Sequence, residues 1–415
     1  MSDPQEGGRT RFLYPLIPSE PYLRLVNDTD LPVPNMLESM SPKIADFFAT
    51  TDLDGPCLAM DLDLVEAAYL DLHDAFDGAR VHFAVKANPT DAVIARLVAL
   101  GSAFDCASIP EIQLCLDHGV TPNAISYGNT IKKERDIAVA HALGISLFAF
   151  DSEAELHKIA RSAPGASVFC RVLSDGEGAE WPLSRKFGCS FAMAEELMLQ
   201  ARDQGLDAAG ISFHVGSQQT DLSQWRPVLD AIAGLFERLE ARGLSLRLLN
   251  LGGGMPAHYD KPVVAVSGYG AAIMAAVHSA FGDRSLQLIV EPGRGLVGNA
   301  GVIQAEVVLI SVKEIGDATR WVYLDIGKFS GLAETMGESI RYRLLSLNDG
   351  QDSGPVILAG PTCDSADVLY ETSGYYLPLG LKEGDKVWIM STGAYTTTYS
   401  SVGFNGFVPL ESVCL

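Results

Sequence analysis

Residues 82–106 read HFAVKANPTDAVIARLVALGSAFDC, and this stretch predicts the architecture of most of the chain. The apolar run that begins at His82 has the composition of a buried strand, and DAVIARLVALG (91–101) has the composition of a helix. A second apolar run begins at Ala103, so one strand and one helix together occupy about 21 residues.

The same alternation continues along the chain. Short apolar runs begin near His82, Ala103, Ile125, Leu147, Val168, Gly210, Leu246 and Leu286, with helical stretches between most of them. Alternating strands and helices predict a parallel sheet, and eight strand positions predict a closed (β/α)8 barrel. An open, doubly wound sheet is the alternative, but it would not require eight strands, and no GxGxxG motif follows the first strand.

Beyond about residue 300 the chain becomes β-rich, with little helix between the strands. The segments are VIQAEVVLISVKEI, RWVYLDIG, PVILAG, DKVWIMS and FVPLESV. We therefore expect an α/β plus all-β protein: residues 51–299 form the barrel, and residues 300–415 form a C-terminal β-barrel or sandwich domain. We expect the Pro-rich residues 1–50 to pack on that β-domain.

The bulk composition restricts the partners. The net charge of −22 and the pI of about 4.7 argue against nucleic acid and anionic membranes, and they fit either a cationic small substrate or an ordinary acidic enzyme. The seven cysteines form no CxxC pair, which favours a reducing compartment. The N-terminal residues are polar, and no apolar run approaches the roughly 20 residues of a membrane span. We expect a cytoplasmic protein.

Polar and glycine residues stand at the end of every predicted barrel strand, where barrel enzymes place their active sites. In chain order they are Lys86, Asp105 with Ser108, Tyr127 to Asn129, Asp151, Arg171, His214 with Ser217, Gly252 to Gly254, and Glu291 to Arg294. A lone lysine after a buried strand would most simply extend its ammonium group to water. The alternative is that Lys86 binds a cofactor.

These residue types match the needs of pyridoxal 5′-phosphate. The cofactor requires a lysine for a Schiff base, and a partly desolvated Lys86 would have a lowered pKa. Glu291 suits the pyridine nitrogen, and His214 offers a flat ring. Gly252 to Gly254, Gly293, Arg294 and Ser217 suit the phosphate. Each residue alone has an ordinary structural explanation, so the hypothesis depends on their joint order along the chain.

Nine motifs extend the pattern from about Phe83 to Phe407. They are FAVKAN, FDCAS, RKFG (185–188), SFHVGSQ, GGGMP, EPGR, GPTCDSAD (360–367), GAYT (393–396) and FNGF (404–407). In this order they make the chain resemble the alanine-racemase-fold, ornithine decarboxylase-like pyridoxal phosphate enzymes. The resemblance implies a (β/α)8 barrel followed by a β-domain, as the strand pattern also predicts.

The resemblance implies a role for each matching position. Lys86 is similar to the Schiff-base lysine; Asp105, Arg171, His214, Ser217, Gly253, Gly254, Glu291, Gly293, Arg294 and Tyr395 are similar to residues that contact the cofactor. Members of the family form homodimers with shared active sites. By the resemblance, Cys363 of the partner subunit would protonate the carbanion that remains after CO₂ leaves. An isolated Cys363 would more simply be a small residue in a turn.

The substrate side of the resemblance points to a small cationic amino acid. Asp364 would meet the distal amine, whereas diaminopimelate enzymes usually carry a CESGD-like string in place of CDSAD. Residues 325–342, DIGKFSGLAETMGESIRY, occupy the place of the family's specificity helix. By register Glu338 is the first candidate for the substrate-binding carboxylate, with Glu334 the second; either could instead be a solvated helix charge. Tyr395 would also line the substrate side.

We therefore predict decarboxylation of L-ornithine to putrescine in polyamine biosynthesis, with L-lysine as a second candidate substrate. The two amino acids differ by one methylene, which a pocket discriminates by only about 1–3 kcal/mol. Diaminopimelate decarboxylase, or a decarboxylase of a related basic amino acid or polyamine precursor, is the alternative enzyme. A catalytically inactive regulatory homologue is the alternative of another class, although this chain keeps both Lys86 and Cys363.

Overall fold

The computed structural model describes residues 40–174, 176–181 and 186–415. Residues 1–39 of the predicted N-terminal segment and Arg185 of the RKFG motif lie outside the described residues. The helices are α1 (Pro42–Thr50), α2 (Leu62–Ala75), α3 (Asp91–Ala99), α4 (Ile109–Asp117), α5 (Glu134–Ala142), α6 (Glu153–Ser162), α7 (Phe191–Asp203), α8 (Trp225–Ala241), α9 (Val266–Phe281) and α10 (Arg294–Val297).

The strands cover both halves of the chain. They are β1 (Cys57–Met60), β2 (Ala79–Ala84), β3 (Ala103–Cys106), β4 (Ile125–Tyr127), β5 (Leu147–Phe150), β6 (Ser167–Arg171), β7 (Ala179–Trp181), β8 (Asp207–Ser212), β9 (Ser217–Gln219), β10 (Leu248–Asn250), β11 (Gln287–Val290), β12 (Gly301–Ser311), β13 (Arg320–Leu324), β14 (Leu344–Ser346), β15 (Ser353–Ala359), β16 (Val368–Pro378), β17 (Lys386–Met390) and β18 (Glu411–Cys414).

Eight parallel strands close into a barrel in the order β2, β3, β4, β5, β6, β8, β10, β11 and back to β2. Serine residues cap three of the helices that follow barrel strands: the hydroxyl groups of Ser108, Ser152 and Ser190 accept hydrogen bonds from the first turns of α4, α6 and α7. The predicted barrel is confirmed, because all eight apolar runs found in the sequence are barrel strands or begin within a few residues of one.

The interior of the barrel is divided between apolar and polar side chains. Ala149, Phe169, Ala209, Leu248 and Ile289, from β5, β6, β8, β10 and β11, form a buried apolar cluster that is separate from the main hydrophobic core. Among the polar residues of the strands, His82, Ser126, Asp105 and Asn250 are buried, with 7% or less of their surface exposed. Buried polar groups are costly unless they are hydrogen-bonded, so the polar side chains mark the region that needs an explanation beyond packing.

The second domain is a mostly antiparallel sheet in the order β14, β17, β12, β13, β15, β16. The long strand β12 connects its two parts, because residues 302–306 pair with β17 and residues 307–311 pair with β13. Strand β1, which precedes the barrel in sequence, also belongs to this sheet: it pairs with β12 antiparallel and with β18 parallel. The predicted combination of a barrel with a C-terminal β-domain is therefore confirmed.

The residues just before the barrel pack on the sheet. Helix α1 begins at Pro42 after Ser41, whose hydroxyl accepts a hydrogen bond from the Ile44 N–H at 3.3 Å. Its apolar face joins a cluster that comprises Met40, Ile44, Phe48, Ala59, Val302 and Met390. The expected limits at residues 50 and 299 stay predictions; by hydrogen bonding, residues 57–60 lie in the sheet rather than in the barrel.

Within residues 40–174, 176–181 and 186–415, the helices are all too short or too polar to cross a membrane.

Candidate active site

The carboxyl ends of the barrel strands enclose two adjoining cavities, the larger with a volume of about 450 Å³. Both are lined by Lys86, Asp105, His214, Ser217, Arg294 and Tyr395. Gly253, Gly254, Glu291 and Gly293 line the smaller cavity, and Arg171 and Glu334 line the larger one. The structure thus brings together most of the residues that the sequence singled out, from seven different strand ends and the β-domain.

Lys86 lies in a 3₁₀ turn (Val85–Ala87) directly after β2 and is accessible from the cavity. Two bonds fix this turn to the β-domain: the Tyr395 N–H donates to the Ala87 carbonyl at 2.9 Å, and the Asn88 side-chain amide donates to the Gly393 carbonyl at 2.9 Å. The turn that carries the lysine is therefore held by both domains.

Two carboxyl groups and a tyrosine act on the amine of Lys86. Desolvation lowers its pKa, but Tyr395, Asp105 and Glu291 raise it, and the net direction is upward. The expectation that burial gives Lys86 a lowered pKa is therefore wrong for this structure, in which the net direction is upward. The physical reason is that β3 and β11 are the two barrel neighbours of β2, so a carboxylate stands on each side of the lysine.

Asp105 and Glu291 are held by different partners. Burial raises the pKa of Asp105 well above its usual range, Glu291 adds to the rise, and Lys86 opposes it. The Ser126 hydroxyl donates to Oδ1 of Asp105 at 3.1 Å. The Asn250 side-chain amide donates to Oε1 of Glu291 at 2.5 Å, and the Asn250 side-chain oxygen accepts the Gly252 N–H at 2.9 Å.

His214 presents a neutral ring to the cavity. Its Nδ1 atom accepts the Gly216 N–H at 2.9 Å, so the ring proton of the neutral form is on Nε2. Burial lowers the His214 pKa well below its usual value, and the positive charges of Arg171 and Lys86 lower it further.

The guanidinium group of Arg171 lies 5.2 Å from the centre of the Phe187 ring.

Three glycines form the part of the wall that suits a phosphate group. A Cβ atom on Gly253 would lie 2.6 Å from the Glu291 carbonyl oxygen, and one on Gly254 would lie 2.6 Å from the Gly216 carbonyl oxygen. At Gly293 it would lie 3.1 Å from Ala87 Cβ and 3.3 Å from the Tyr395 hydroxyl. Because no side chain fits, the backbone itself lines the cavity, as anion-binding loops require. The residues therefore fit a phosphate-bearing cofactor.

Arg294 forms a buried ion pair that the sequence did not predict. Its NH1 and NH2 groups donate to the two carboxylate oxygens of Glu334 at 2.7 and 2.5 Å, and NH1 also donates to the Tyr259 hydroxyl at 2.7 Å. The Arg294 Nε donates to the Ser217 hydroxyl at 3.1 Å. The side chains of Arg294 and Glu334 are only 2% and 1% exposed, so this pair fixes the 325–342 segment against the barrel.

Glu338, the first candidate for a substrate carboxylate, does not line either cavity. Its Oε1 accepts the backbone N–H groups of Glu371 and Thr372 at 2.8 and 2.7 Å, and its Oε2 accepts that of Ser373 at 2.7 Å. The structure thus places Glu338 away from both cavities, because its carboxylate is already bound by backbone N–H groups in the middle of β16. Glu334 is the carboxylate of this segment that reaches the cavity wall.

Cys363 and Asp364 are exposed and line neither cavity of their own chain. The Cys363 N–H donates to the Asn405 side-chain oxygen at 3.0 Å, and the Asp364 carboxylate accepts the Ala366 N–H at 2.8 Å. The two residues lie in the turn between β15 and β16. The roles assigned to them and to the cavity residues stay predictions.

Sequence motifs did not reveal Asn250, Ser126, His82 or the partner of Arg294. These residues hold site groups from within strands or from segments far apart in the chain, so no local pattern marks them. The sequence feature that could have identified Ser126 and Asn250 is a polar residue inside a short apolar strand, as in ISY (125–127) and LLN (248–250).

Comparisons with known proteins agree with this geometry. The family model "Pyridoxal-dependent decarboxylase, pyridoxal binding domain" matches residues 62–298. The lysine/ornithine decarboxylase of Selenomonas ruminantium is 34% identical over 357 residues, which are 85% of this chain and 87% of that protein. Antizyme inhibitor 2 of Xenopus laevis is 31% identical over 371 residues, 86% of this chain and 80% of that protein.

A solved structure has the same fold over most of its length. The lysine/ornithine decarboxylase of Vibrio vulnificus, complexed with cadaverine, superposes with a TM-score of 0.81 at 30% identity. The match covers 91% of this chain and 99% of that one.

Proposed function

The chain belongs to the pyridoxal-dependent decarboxylases, and from that premise we propose that it converts L-ornithine to putrescine, with L-lysine as a second substrate. One observation carries the proposal: Lys86 lies between Asp105 and Glu291 in a cavity whose wall includes the glycines at 253, 254 and 293. The names of the relatives support a basic amino acid as substrate.

The cofactor of this family is pyridoxal 5′-phosphate, which supplies, when bound, an aldehyde that joins an amine covalently and a ring that withdraws electrons from the bond to the carboxylate. Lys86 would supply the amine that holds it. Glu291, oriented by Asn250, would keep a proton on the ring nitrogen, and the neutral ring of His214 would pack against the cofactor. The groups that would hold the phosphate are Ser217, Gly253, Gly254, Gly293, Arg294 and Tyr395.

The substrate ammonium needs acceptors at the far end of the cavity, because an unpaired charge in a closed site is costly. Glu334 is the carboxylate that the 325–342 segment contributes to the lining of the larger cavity. Asp364 of the partner subunit is the second acceptor in the proposal. Each carboxylate oxygen of Glu334 accepts from Arg294 and keeps a further lone pair, so it can accept a hydrogen bond from an ammonium as well.

We propose a homodimer with shared sites, since Cys363 and Asp364 are exposed in a single chain and line neither of its cavities. Cys363 of the partner subunit then donates a proton to the carbon atom that CO₂ leaves, and its thiolate is reprotonated from solvent. Within the described residues the lining of the two cavities contains no thiol, so a thiol that donates this proton would come from outside that lining.

Product analysis tests the proposed substrate. Purified protein with added pyridoxal phosphate is incubated with ornithine, lysine, arginine and meso-diaminopimelate in parallel, and amines are quantified by mass spectrometry. Putrescine should form fastest and cadaverine second, with the Lys86→Ala variant as the inactive control. Lysine formed from diaminopimelate as the main product would contradict the proposal.

A regulatory homologue without activity is a second candidate, since antizyme inhibitor 2 is among the relatives. The presence of Lys86 and of the glycine-lined wall favours cofactor binding instead. An absorbance scan separates the two candidates. A lysine-bound cofactor absorbs in the visible range, and the protein should lose this band in Lys86→Ala; a colourless wild-type protein that remains so after addition of cofactor would favour the regulatory homologue.

A further inference from the structure

A chain of hydrogen bonds runs through the barrel interior to the carboxylate beside Lys86. The His82 Nδ1 atom lies 3.2 Å from the Ser126 hydroxyl oxygen, and the Ser126 hydroxyl lies 3.1 Å from Oδ1 of Asp105. His82 is 2% exposed, Ser126 is 0% exposed and Asp105 is 7% exposed. The three residues come from β2, β4 and β3, so the chain crosses the inside of the barrel wall at three adjacent strands.

The direction of these hydrogen bonds follows from counting protons. Ser126 has one hydroxyl proton, and its nearest acceptor is Oδ1 of Asp105 at 3.1 Å; the Phe104 carbonyl oxygen is farther away, at 3.4 Å. A carboxylate is also the stronger acceptor. With Asp105 ionised, the Ser126 hydroxyl donates to the carboxylate and its oxygen can accept from His82, which places the His82 proton on Nδ1. Burial and the charge of Arg80 lower the His82 pKa to about 3, which keeps the ring neutral at ordinary pH.

A second contact limits the position of the same carboxylate. A Cβ atom on Gly128 would lie 1.9 Å from Oδ1 of Asp105, so the carboxylate packs directly against the Gly128 backbone. The carboxylate is therefore constrained by a donor on one side and by backbone on another.

We infer that His82 and Ser126 are positioning residues for Asp105, and that their hydrogen-bond chain favours its carboxylate form beside the amine of Lys86, against the effects of burial and of Glu291. Both links donate toward Asp105, and a donor chain that ends at a carboxylate stabilises its charged form. The inference rests on the proposed function for one point, that Lys86 binds the cofactor. It is independent of which amino acid the enzyme decarboxylates.

The surrounding charges explain why the chain is needed. The ionisable groups that act on Asp105 are Glu291 from the end of β11, Lys86 from the turn after β2, Glu111 from α4 and Arg171 from the end of β6. Burial and the two glutamates favour the neutral acid, whereas Lys86 and the Ser126 hydroxyl favour the carboxylate. Without Ser126, the balance moves toward protonated Asp105, which no longer stabilises a positive charge on the Lys86 nitrogen.

The experiment is a pH titration of the visible absorbance of the lysine-bound cofactor in the holoenzyme. Loss of the negative charge beside Lys86 destabilises the protonated nitrogen, so Ser126→Ala should shift the apparent pKa of the absorbance change downward by about one pH unit. His82→Leu, which removes the donor to Ser126, should give a smaller shift in the same direction. Thermal unfolding of each variant reports the purely structural effect.

Two matched variants make the result specific. In His82→Asn the side-chain amide can replace the Nδ1 donor, so this variant should restore the wild-type titration that His82→Leu loses. The double variant His82→Leu/Ser126→Ala should titrate like Ser126→Ala alone, because His82 acts only through Ser126.

The outcomes separate this inference from the proposed function. A wild-type protein without a lysine-bound chromophore would overturn the proposed function. A normal wild-type titration that Ser126→Ala leaves unchanged, with or without a lower Tm, would overturn the inference alone. Additive shifts in the double variant would also overturn it, because they would mean that His82 affects Lys86 by a separate route.

Discussion

At the scale of single residues, the main feature of the site is that carboxyl groups from both neighbours of β2 lie beside Lys86. Lys86 and Arg171 are opposed by Asp105 and Glu291, and hydrogen bonds from Ser126 and Asn250 fix one oxygen of each carboxylate. Replacement of one carboxylate should alter catalysis without unfolding the barrel, because the other carboxylate still lies beside Lys86 and Arg171.

Glu291→Gln tests the carboxylate assigned to the pyridine nitrogen. The amide can still accept a hydrogen bond but cannot keep a proton on the ring, so the electron-withdrawing power of the cofactor falls. We expect kcat to fall by at least about 100-fold, in the range for loss of a positioned proton-transfer group, whereas the Kd for pyridoxal phosphate should change by less than tenfold. Steady-state kinetics and an absorbance titration measure the two; unchanged turnover would refute the role.

Asp364→Ala tests the distal end of the substrate. Removal of one partner of a buried charge pair costs about 2–5 kcal/mol, which is about 30-fold to several-thousand-fold in kcat/KM for ornithine. Discrimination against norleucine, which lacks the distal ammonium, should fall as well. The control is Asp352→Ala, an exposed carboxylate of the same domain. A loss of less than threefold in kcat/KM would show that Asp364 does not bind the distal amine.

At the scale of secondary-structure elements, residues 325–342 show where counting along the sequence stops being reliable. Within the 3₁₀ segment Ala333–Glu338, Gly337 has φ 63° and Glu338 has φ 55°, both in the left-handed region. This kink turns Glu338 toward β16, where three backbone N–H groups bind its carboxylate, and it leaves Glu334 facing Arg294. The hydrogen bonds offset the cost of the unusual backbone.

Glu338→Gln should therefore destabilise this element without changing substrate preference. Partial burial raises the Glu338 pKa, but hydrogen bonds from residues 371–373 lower it more, to about 2. A pKa lowered in the folded state contributes stability above the unfolded value, here 4.5, and loses it as the pH falls toward 2. At pH 7 the variant should lose about 1–2 kcal/mol, because the carboxylate is partly exposed.

The measurement is the difference in Tm between wild type and variant at several pH values. The difference should be largest above pH 5 and should narrow as the pH falls toward 2, because Glu338 is protonated in the unfolded chain below about 4.5 but stays ionised in the folded protein until about pH 2. Glu338→Ala, which also leaves the three donors unsatisfied, should behave similarly at pH 7. A Tm difference that stays constant with pH would contradict the assignment of the lowered pKa to Glu338.

The sequence predicted the elements better than it predicted their side-chain contacts. The first five barrel strands follow from a spacing of about 21 residues, which is a local property, and the last three follow from apolar runs that lie farther apart. The position of Glu338 could not be predicted, since a helical register fails at a pair of residues with positive φ. The His82–Ser126 contact joins positions 44 residues apart, and only the closed barrel brings them together.

At the scale of the whole molecule, the exposed Cys363 and Asp364 predict that activity depends on a second subunit. Mixing Lys86→Ala with Cys363→Ala protein under conditions that allow subunit exchange gives heterodimers in which one site recovers both wild-type residues. Random pairing makes about half of the dimers heterodimers, each with one functional site of two, so activity near a quarter of wild type is expected.

The control for this experiment is each variant exchanged with itself, which should remain inactive. Exchange itself is followed with two differently tagged wild-type samples. Absence of recovered activity, when the tags show that exchange has occurred, would mean that each site is built from a single chain.

The pairing of β1 with β18 cannot form until nearly the whole chain has been synthesised. Cys57 pairs with Glu411, so the two strands leave the ribosome roughly 350 residues apart. At about 5–20 residues per second, β1 therefore waits between about 20 and 70 seconds for this neighbour, while all the barrel strands from β2 to β11 emerge. The barrel can close during that interval, whereas β1 keeps an unpaired edge until translation reaches β18. The sheet, rather than the catalytic barrel, is thus the part of the nascent protein most exposed to misassembly.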